Sequence, residues 1–233
     1  MKHYPTKSGP FVERPFFSAG EIEDICTEAL RSVDLYPTRP EPVRIERFVE
    51  KRFQVTPSYE DLPDGVLGLT EFTKAGVKAV VIGRALDDDG GIVAERRIRT
   101  TLAHEGGHCL LHAHLFALAT PESSLFGDFS DPTSPKVLCR GEADPQREGA
   151  YHGKWWEFQA NKAIGGLLMP RPLVETALAD FFITSPMGFK SFDWNQHAEA
   201  GRQLSEAFDV NPAVARIRLS QVFPVDTRSQ LTL

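Results

Sequence analysis

Thr101-Leu102-Ala103-His104-Glu105-Gly106-Gly107-His108-Cys109-Leu110-Leu111-His112 is the stretch on which the reading of this chain turns. It holds H-E-x-x-H at residues 104–108, inside a pattern that predicts a helix from about Arg99 to Ala117. Residues four apart stack on one helix face, so His104 and His108 can aim their imidazoles at one ion while Glu105 projects beside them. That is half of a zinc site, with Glu105 as the candidate catalytic base that takes a proton from water. The opposite stripe, Leu102, Gly106, Cys109, Ala113 and Phe116, predicts burial in a core. Each of the two glycines costs about 1 kcal/mol of helix propensity relative to alanine, and close approach of a strand is the expected reason. His112 continues the i+4 series, but two turns from His104 it suits a supporting position behind a ligand better than direct ligation.

A catalytic zinc takes three protein ligands and keeps one position open. Outward along the chain, a second helix is predicted over about Lys154 to Met169, stopped by Pro170 and Pro172. Its Glu157 and Asn161 are four apart and share a face. Glu157 is therefore the candidate third ligand, and Asn161 a candidate to hold a ligand histidine from behind. This spacing matches the E-x-x-x-(D/N) helix of thermolysin-like zincins. The other acids between the helices, Glu122, Asp128, Asp131, Glu142, Asp144 and Glu148, lack a helical partner in that register.

Between the two helices lies a stretch rich in Pro, Gly, Asp and Ser, Thr120 to Gly153. Loops of that length are usually functional or disordered. Within it, Val137-Leu138-Cys139-Arg140 is a small apolar patch, and a thiolate is a strong zinc ligand. Cys139 is thus a candidate inhibitory ligand that fills the open position, set against the plainer reading of a buried structural thiol. Tyr151, His152 and His114 all stand as candidates for the second donor to an oxyanion.

The lead-in reads as helix, helix, hairpin. Ser18-Ala19-Gly20-Glu21 fits a capping box, followed by Ile22, Ile25, Cys26, Ala29, Leu30 and Val33 at helical spacing. Ile45, Phe48, Val49 and Phe53 predict a second helix. Val66 to Phe72 and Val77 to Ile82 predict strands joined through Lys74-Ala75-Gly76. The acidic run Asp87 to Asp89 before Gly90-Gly91 fails the EF-hand spacing and reads as a solvated loop.

The chain has 233 residues, 41% hydrophobic and 25% charged, with a formal charge of −6. These values exclude disordered and collagen-like classes and leave no overall field for a polyanion. No window approaches a spanning helix and the first twenty residues hold no signal-like apolar run, so the expectation is a cytoplasmic protein without membrane contact. Cys26, Cys109 and Cys139 are too few and too scattered for a disulfide framework. The remainder, from Leu173 on, predicts three or four short helices, with Leu204 to Leu219 in the cadence of a helix-turn-helix. Residues 186–233 carry five basic and five acidic side chains. That balance favours a structural or protein-binding module, with Arg216 and Arg218 as candidates for phosphate contact. Trp155 and Trp156 read as helix packing rather than base-stacking platforms.

The block 101–112, together with Glu157-Phe158-Gln159-Ala160-Asn161-Lys162-Ala163-Ile164-Gly165-Gly166-Leu167-Leu168-Met169-Pro170, resembles the ImmA/IrrE family of zinc metallopeptidases. The resemblance extends over about residues 20–170. It implies an α+β fold with a minimal zincin-like core over 1–172, a helical, helix-turn-helix-like tail over 173–233, and Zn2+ as cofactor. It also implies an endopeptidase that cleaves a partner helix-turn-helix repressor and so switches on mobile-element, DNA-damage or phage-defence genes. A further reading, by analogy, is a latent peptidase gated by a ligand, with nucleic acid as one candidate signal. The alternative is a DNA-binding transcriptional regulator with a structural zinc site. Glu105 separates the two, because a structural site closes all four positions and needs no glutamate beside its histidines.

Overall fold

The computed structural model describes residues 2–5, 13–88, 90–118, 136–140, 155–184 and 190–224. A short antiparallel hairpin, β1 (Lys2–Pro5) and β2 (Glu13–Phe16), comes first. Helix α1 (Ala19–Ser32) starts at the expected capping box: Ser18 Oγ accepts from the Glu21 amide at 3.2 Å, and the Glu21 carboxylate accepts from the Ser18 amide at 2.8 Å. Its apolar stripe, Ile22, Cys26, Ala29 and Leu30, is buried. Helix α2 (Ile45–Phe53) buries Ile45, Phe48 and Val49.

Strand β3 (Ser58–Glu60) precedes the expected hairpin of β4 (Val66–Thr73) and β5 (Gly76–Gly83). One helical turn, α3 (Ala85–Asp88), occupies part of the acidic run that reads as loop from sequence. Helix α4 spans Gly91–Leu118 and begins well before Arg99. Gly90 and Gly91, at φ of 61° and 75°, turn the chain into it in a conformation side chains rarely adopt. Ala94 and Ile98 then extend the buried stripe toward the N-terminus.

Strand β6 (Lys136–Arg140) lies in the stretch expected to be irregular. It completes a mixed sheet in the order β3-β5-β4-β6, with β3 parallel to β5 and the other pairs antiparallel. Three apolar residues carry no periodicity that separates strand from loop, so only the free edge of β4 defines β6. Helix α5 (Trp155–Leu168) packs along α4. Beyond it the chain forms α6 (Arg171–Ala177), a hairpin of β7 (Phe182–Thr184) and β8 (Lys190–Phe192), then α7 (His197–Phe208) and α8 (Pro212–Val222). The tail expected to be helical therefore contains a small hairpin, where Phe182 and Phe192 pack against Phe223.

One core cluster runs through α1, α2, α4, α5, α7 and α8 and includes Cys26, Phe48, Leu102, Leu167, Leu204, Phe208 and Leu219. Strand alternation directs Thr70 and Phe72 of β4, and Val80 and Ile82 of β5, toward the helices, while Leu69 and Val81 form a separate cluster on the other face. Trp155 and Trp156 pack on Phe72. Arg218, a candidate phosphate contact from sequence, is 3% exposed and belongs to the interior: its guanidinium donates to the Glu23 carboxylate at 2.5 and 2.8 Å and to the Met169 carbonyl at 2.9 Å. No helix among the described residues is long and apolar enough to cross a membrane.

Candidate metal centre

The His104–His108 face of α4 meets α5 because both helices present small residues where they touch. A Cβ on Gly107 would lie 2.9 Å from Ala163 Cβ and 3.1 Å from the Ala160 carbonyl oxygen. The close neighbour that requires a glycine here is thus helix α5, not the strand expected from sequence. Gly106 has more room, its nearest contacts being Leu167 and Phe48 at 3.5 and 3.7 Å. The strand makes its approach through its own glycine. A Cβ on Gly68 would meet Thr101 Cγ2 at 2.7 Å and Glu105 Oε1 at 3.1 Å, so the absence of a side chain there lets β4 lie against the Glu105 turn.

With the helices this close, His104, His108 and Glu157 present ligand atoms all within 4.8 Å of one another. The two histidine Nε2 atoms are 2.9 Å apart, and Glu157 Oε2 is 3.1 Å from His104 Nε2 and 3.6 Å from His108 Nε2. Tetrahedral ligation at about 2.0–2.2 Å holds ligand atoms about 3.3–3.6 Å apart; the three separations run from below that range to its upper end, and the two histidines need to part by a few tenths of an ångström to admit an ion. The Nδ1 atom of His104 lies 3.0 Å from Asn161 Oδ1, an acceptor, so His104 carries its proton on Nδ1 and turns a lone pair inward. A carboxylate and imidazole nitrogens converging on one point repel one another unless a proton or a metal cation lies among them. This group can hold a metal ion.

Electrostatics agree with that reading. Burial lowers the basicity of His108, outweighing the pull of Glu157, and lowers that of His112 far more. Burial alone raises the Glu157 carboxyl, but the closeness of His108 and His104 outweighs it and holds the group well below the usual carboxylate range. Glu105 is fully buried, and burial pushes it up to about 7 despite nearby His104 and the Thr70 hydroxyl, which donates to Oε2 at 2.5 Å. Its second oxygen, Oε1, has no hydrogen-bond partner. A buried carboxylate oxygen without a donor marks a place for a proton or a water.

Among the other residues singled out by sequence, His112 lies behind His108, with the two Nδ1 atoms 3.0 Å apart. His114 is exposed and outside the ligand group. Tyr151 and His152 lie outside the described residues. So does the Cys139 side chain, although its backbone in β6 pairs opposite Gly68. Cys26 and Cys109 are free, buried thiols, and burial raises both. Sequence reasoning passed over Thr70 and Gln159. A threonine at an inward strand position and a glutamine on the packed face of α5 are the signals that mark them, since a buried polar side chain needs a partner. No family model and no curated protein matches this sequence.

Proposed function

We propose that this chain is a zinc-dependent endopeptidase in which His104, His108 and Glu157 hold the metal and Glu105 is the catalytic base. The observation that carries the reading is the juxtaposition of a converging three-ligand group and a buried carboxylate on the same turn of α4, one of whose oxygens is unpaired. Two neutral imidazoles and one carboxylate suit Zn2+, leaving a net charge near +1. When bound, zinc acidifies a water and polarises a carbonyl oxygen.

The chain's own residues do the rest. Thr70 fixes one oxygen of Glu105 and leaves Oε1 to accept a proton. A proton affinity near 7 lets that carboxylate take the proton at neutral pH and return it to the leaving amine. Asn161 keeps the His104 proton on Nδ1 and its Nε2 lone pair toward the ion. By the ImmA/IrrE resemblance, the substrate is a partner helix-turn-helix repressor inside the cell, and cleavage switches on a stress, mobile-element or defence response.

A regulator with a structural zinc site requires a fourth protein ligand. Among the described residues the group has three. The deciding experiment is co-expression with the candidate repressor. The wild-type chain should bind one zinc and cut the repressor; Glu105→Gln should keep the zinc and not cut. Equal cleavage by the variant refutes the mechanism, and zinc held by four protein ligands in the resting protein transfers the chain to the regulator class.

A further inference from the structure

Behind His108 runs a buried chain of hydrogen bonds that ends on the N-terminal hairpin. The Gln159 amide nitrogen donates to the Pro15 carbonyl at 2.9 Å, and Gln159 Oε1 lies 3.0 Å from His112 Nε2. His112 Nδ1 lies 3.0 Å from His108 Nδ1. Gln159, His112 and His108 are 5%, 1% and 0% exposed, so water does not substitute for any link.

The polarity of this chain is fixed from its far end. A backbone carbonyl only accepts, so the Gln159 NH2 group must face Pro15 and its oxygen must face His112. That oxygen accepts, so His112 carries its proton on Nε2. The Nδ1 atom of His112 is then the acceptor, so His108 donates from Nδ1. We infer that Gln159, oriented by the Pro15 carbonyl, is a positioning residue that dictates the His112 tautomer and through it holds the His108 Nε2 lone pair toward the metal position. His104 is held by one exposed amide, Asn161, whereas His108 is held by a buried relay anchored on a different part of the chain. The second ligand is thereby coupled to β2.

This inference rests on the metal-centre reading for its consequence, but not for its geometry, and the test separates them. In 15N-histidine-labelled wild-type protein, long-range 1H–15N spectra should show His112 protonated on Nε2, both metal-free and zinc-loaded, with a 15N–15N coupling between the Nδ1 atoms of His108 and His112. A His112 protonated on Nδ1 overturns the relay, whatever the protein binds. Gln159→Met keeps side-chain length and removes both hydrogen bonds. Competition with a chelating dye should show zinc affinity reduced about 10–100-fold, with the His112 tautomer no longer uniform. Gln159→Glu still accepts from His112 and should retain the Nε2–H tautomer. A folded Gln159→Met variant that binds zinc within twofold of wild type and keeps the tautomer overturns the positioning role. If the variant does not fold, the wild-type spectra decide. A wild-type protein that binds no zinc refutes the metal centre and leaves the tautomer measurement to judge the relay.

Discussion

At the residue scale, Glu105 is the side chain on which the chemistry and the cost of the site meet. Its native proton affinity, raised to about 7 by burial, exceeds the ordinary carboxyl value of 4.5. The native state therefore binds more protons than the unfolded chain between those values. Stability of the metal-free protein should be full below about pH 4.5 and fall as pH rises through 7, by about 3 kcal/mol at most. Glu105→Gln should flatten this dependence, so that in urea melts with chelator present the variant gains on wild type at pH 8 but not at pH 5. A wild-type protein equally stable at both pH values, other groups being matched by the variant, counts against burial as the cause. Glu157→Ala should lower zinc affinity steeply while leaving the fold, since its carboxylate faces only the two histidines in the described hydrogen bonds. Full zinc retention in that variant sends the third ligand elsewhere.

Two adjacent glycines of α4 make opposite predictions at the scale of elements. An alanine at 107 places its Cβ against the α5 backbone, so Gly107→Ala should destabilise by about 1–3 kcal/mol and loosen the spacing of Glu157 from the histidines. Gly106→Ala meets only ordinary contacts and gains helix propensity, so it should stabilise by up to about 1 kcal/mol. Thermal melts of the pair read the contrast, and equal effects would mean that the α4–α5 approach is not set by these atoms. Strand β6 lies along β4, with Val137 opposite Thr70 and Cys139 opposite Gly68, so the backbone segment carrying the proposed latch runs beside the strand that holds Glu105. If Cys139 latches the metal, Cys139→Ser should raise basal repressor cleavage, and X-ray absorption of the resting zinc protein should show a sulfur at about 2.3 Å. A resting spectrum with only nitrogen and oxygen ligands ends the latch.

For the whole molecule, the question is how the segment from residue 173 on is attached. Arg96 of α4 pairs with Asp209 at 2.8 Å, Arg99 bridges the carbonyls of Val43 and Phe208, and Arg218 ties α8 to α1 and to the end of α5. Arg218→Ala leaves Glu23 half-sheltered without its cation and frees the Met169 carbonyl, and should cost about 2–4 kcal/mol in chemical denaturation. Arg216, exposed two residues away, should change stability by no more than about 0.5 kcal/mol when replaced by alanine. Similar losses for both would show that the ion pair is not what fastens α8. The same pairing explains why reading Arg216 and Arg218 as a joint phosphate contact fails for Arg218: its charge is already neutralised inside the fold.

Periodicity alone was enough for the elements whose residues repeat over several turns or a full strand: α1 with its capping box, α2, the β4–β5 hairpin, and the two helices bearing H-E-x-x-H and E-x-x-x-N. It also put His104 and His108 on one face and Glu157 and Asn161 on another, because i, i+4 spacing is a local property of a helix. Tertiary structure decided what local spacing does not encode. It brought the two faces to within 3.1–3.6 Å, by way of the glycine–alanine contact between α4 and α5. It made β6 a strand, since a short apolar run becomes one only when an edge is there to pair with. It turned Arg218 inward, and it assembled Pro15, Gln159, His112 and His108 into one directed chain across distant parts of the sequence. A buried polar atom must find a partner somewhere, and the sequence names the need while only the packed fold names the partner.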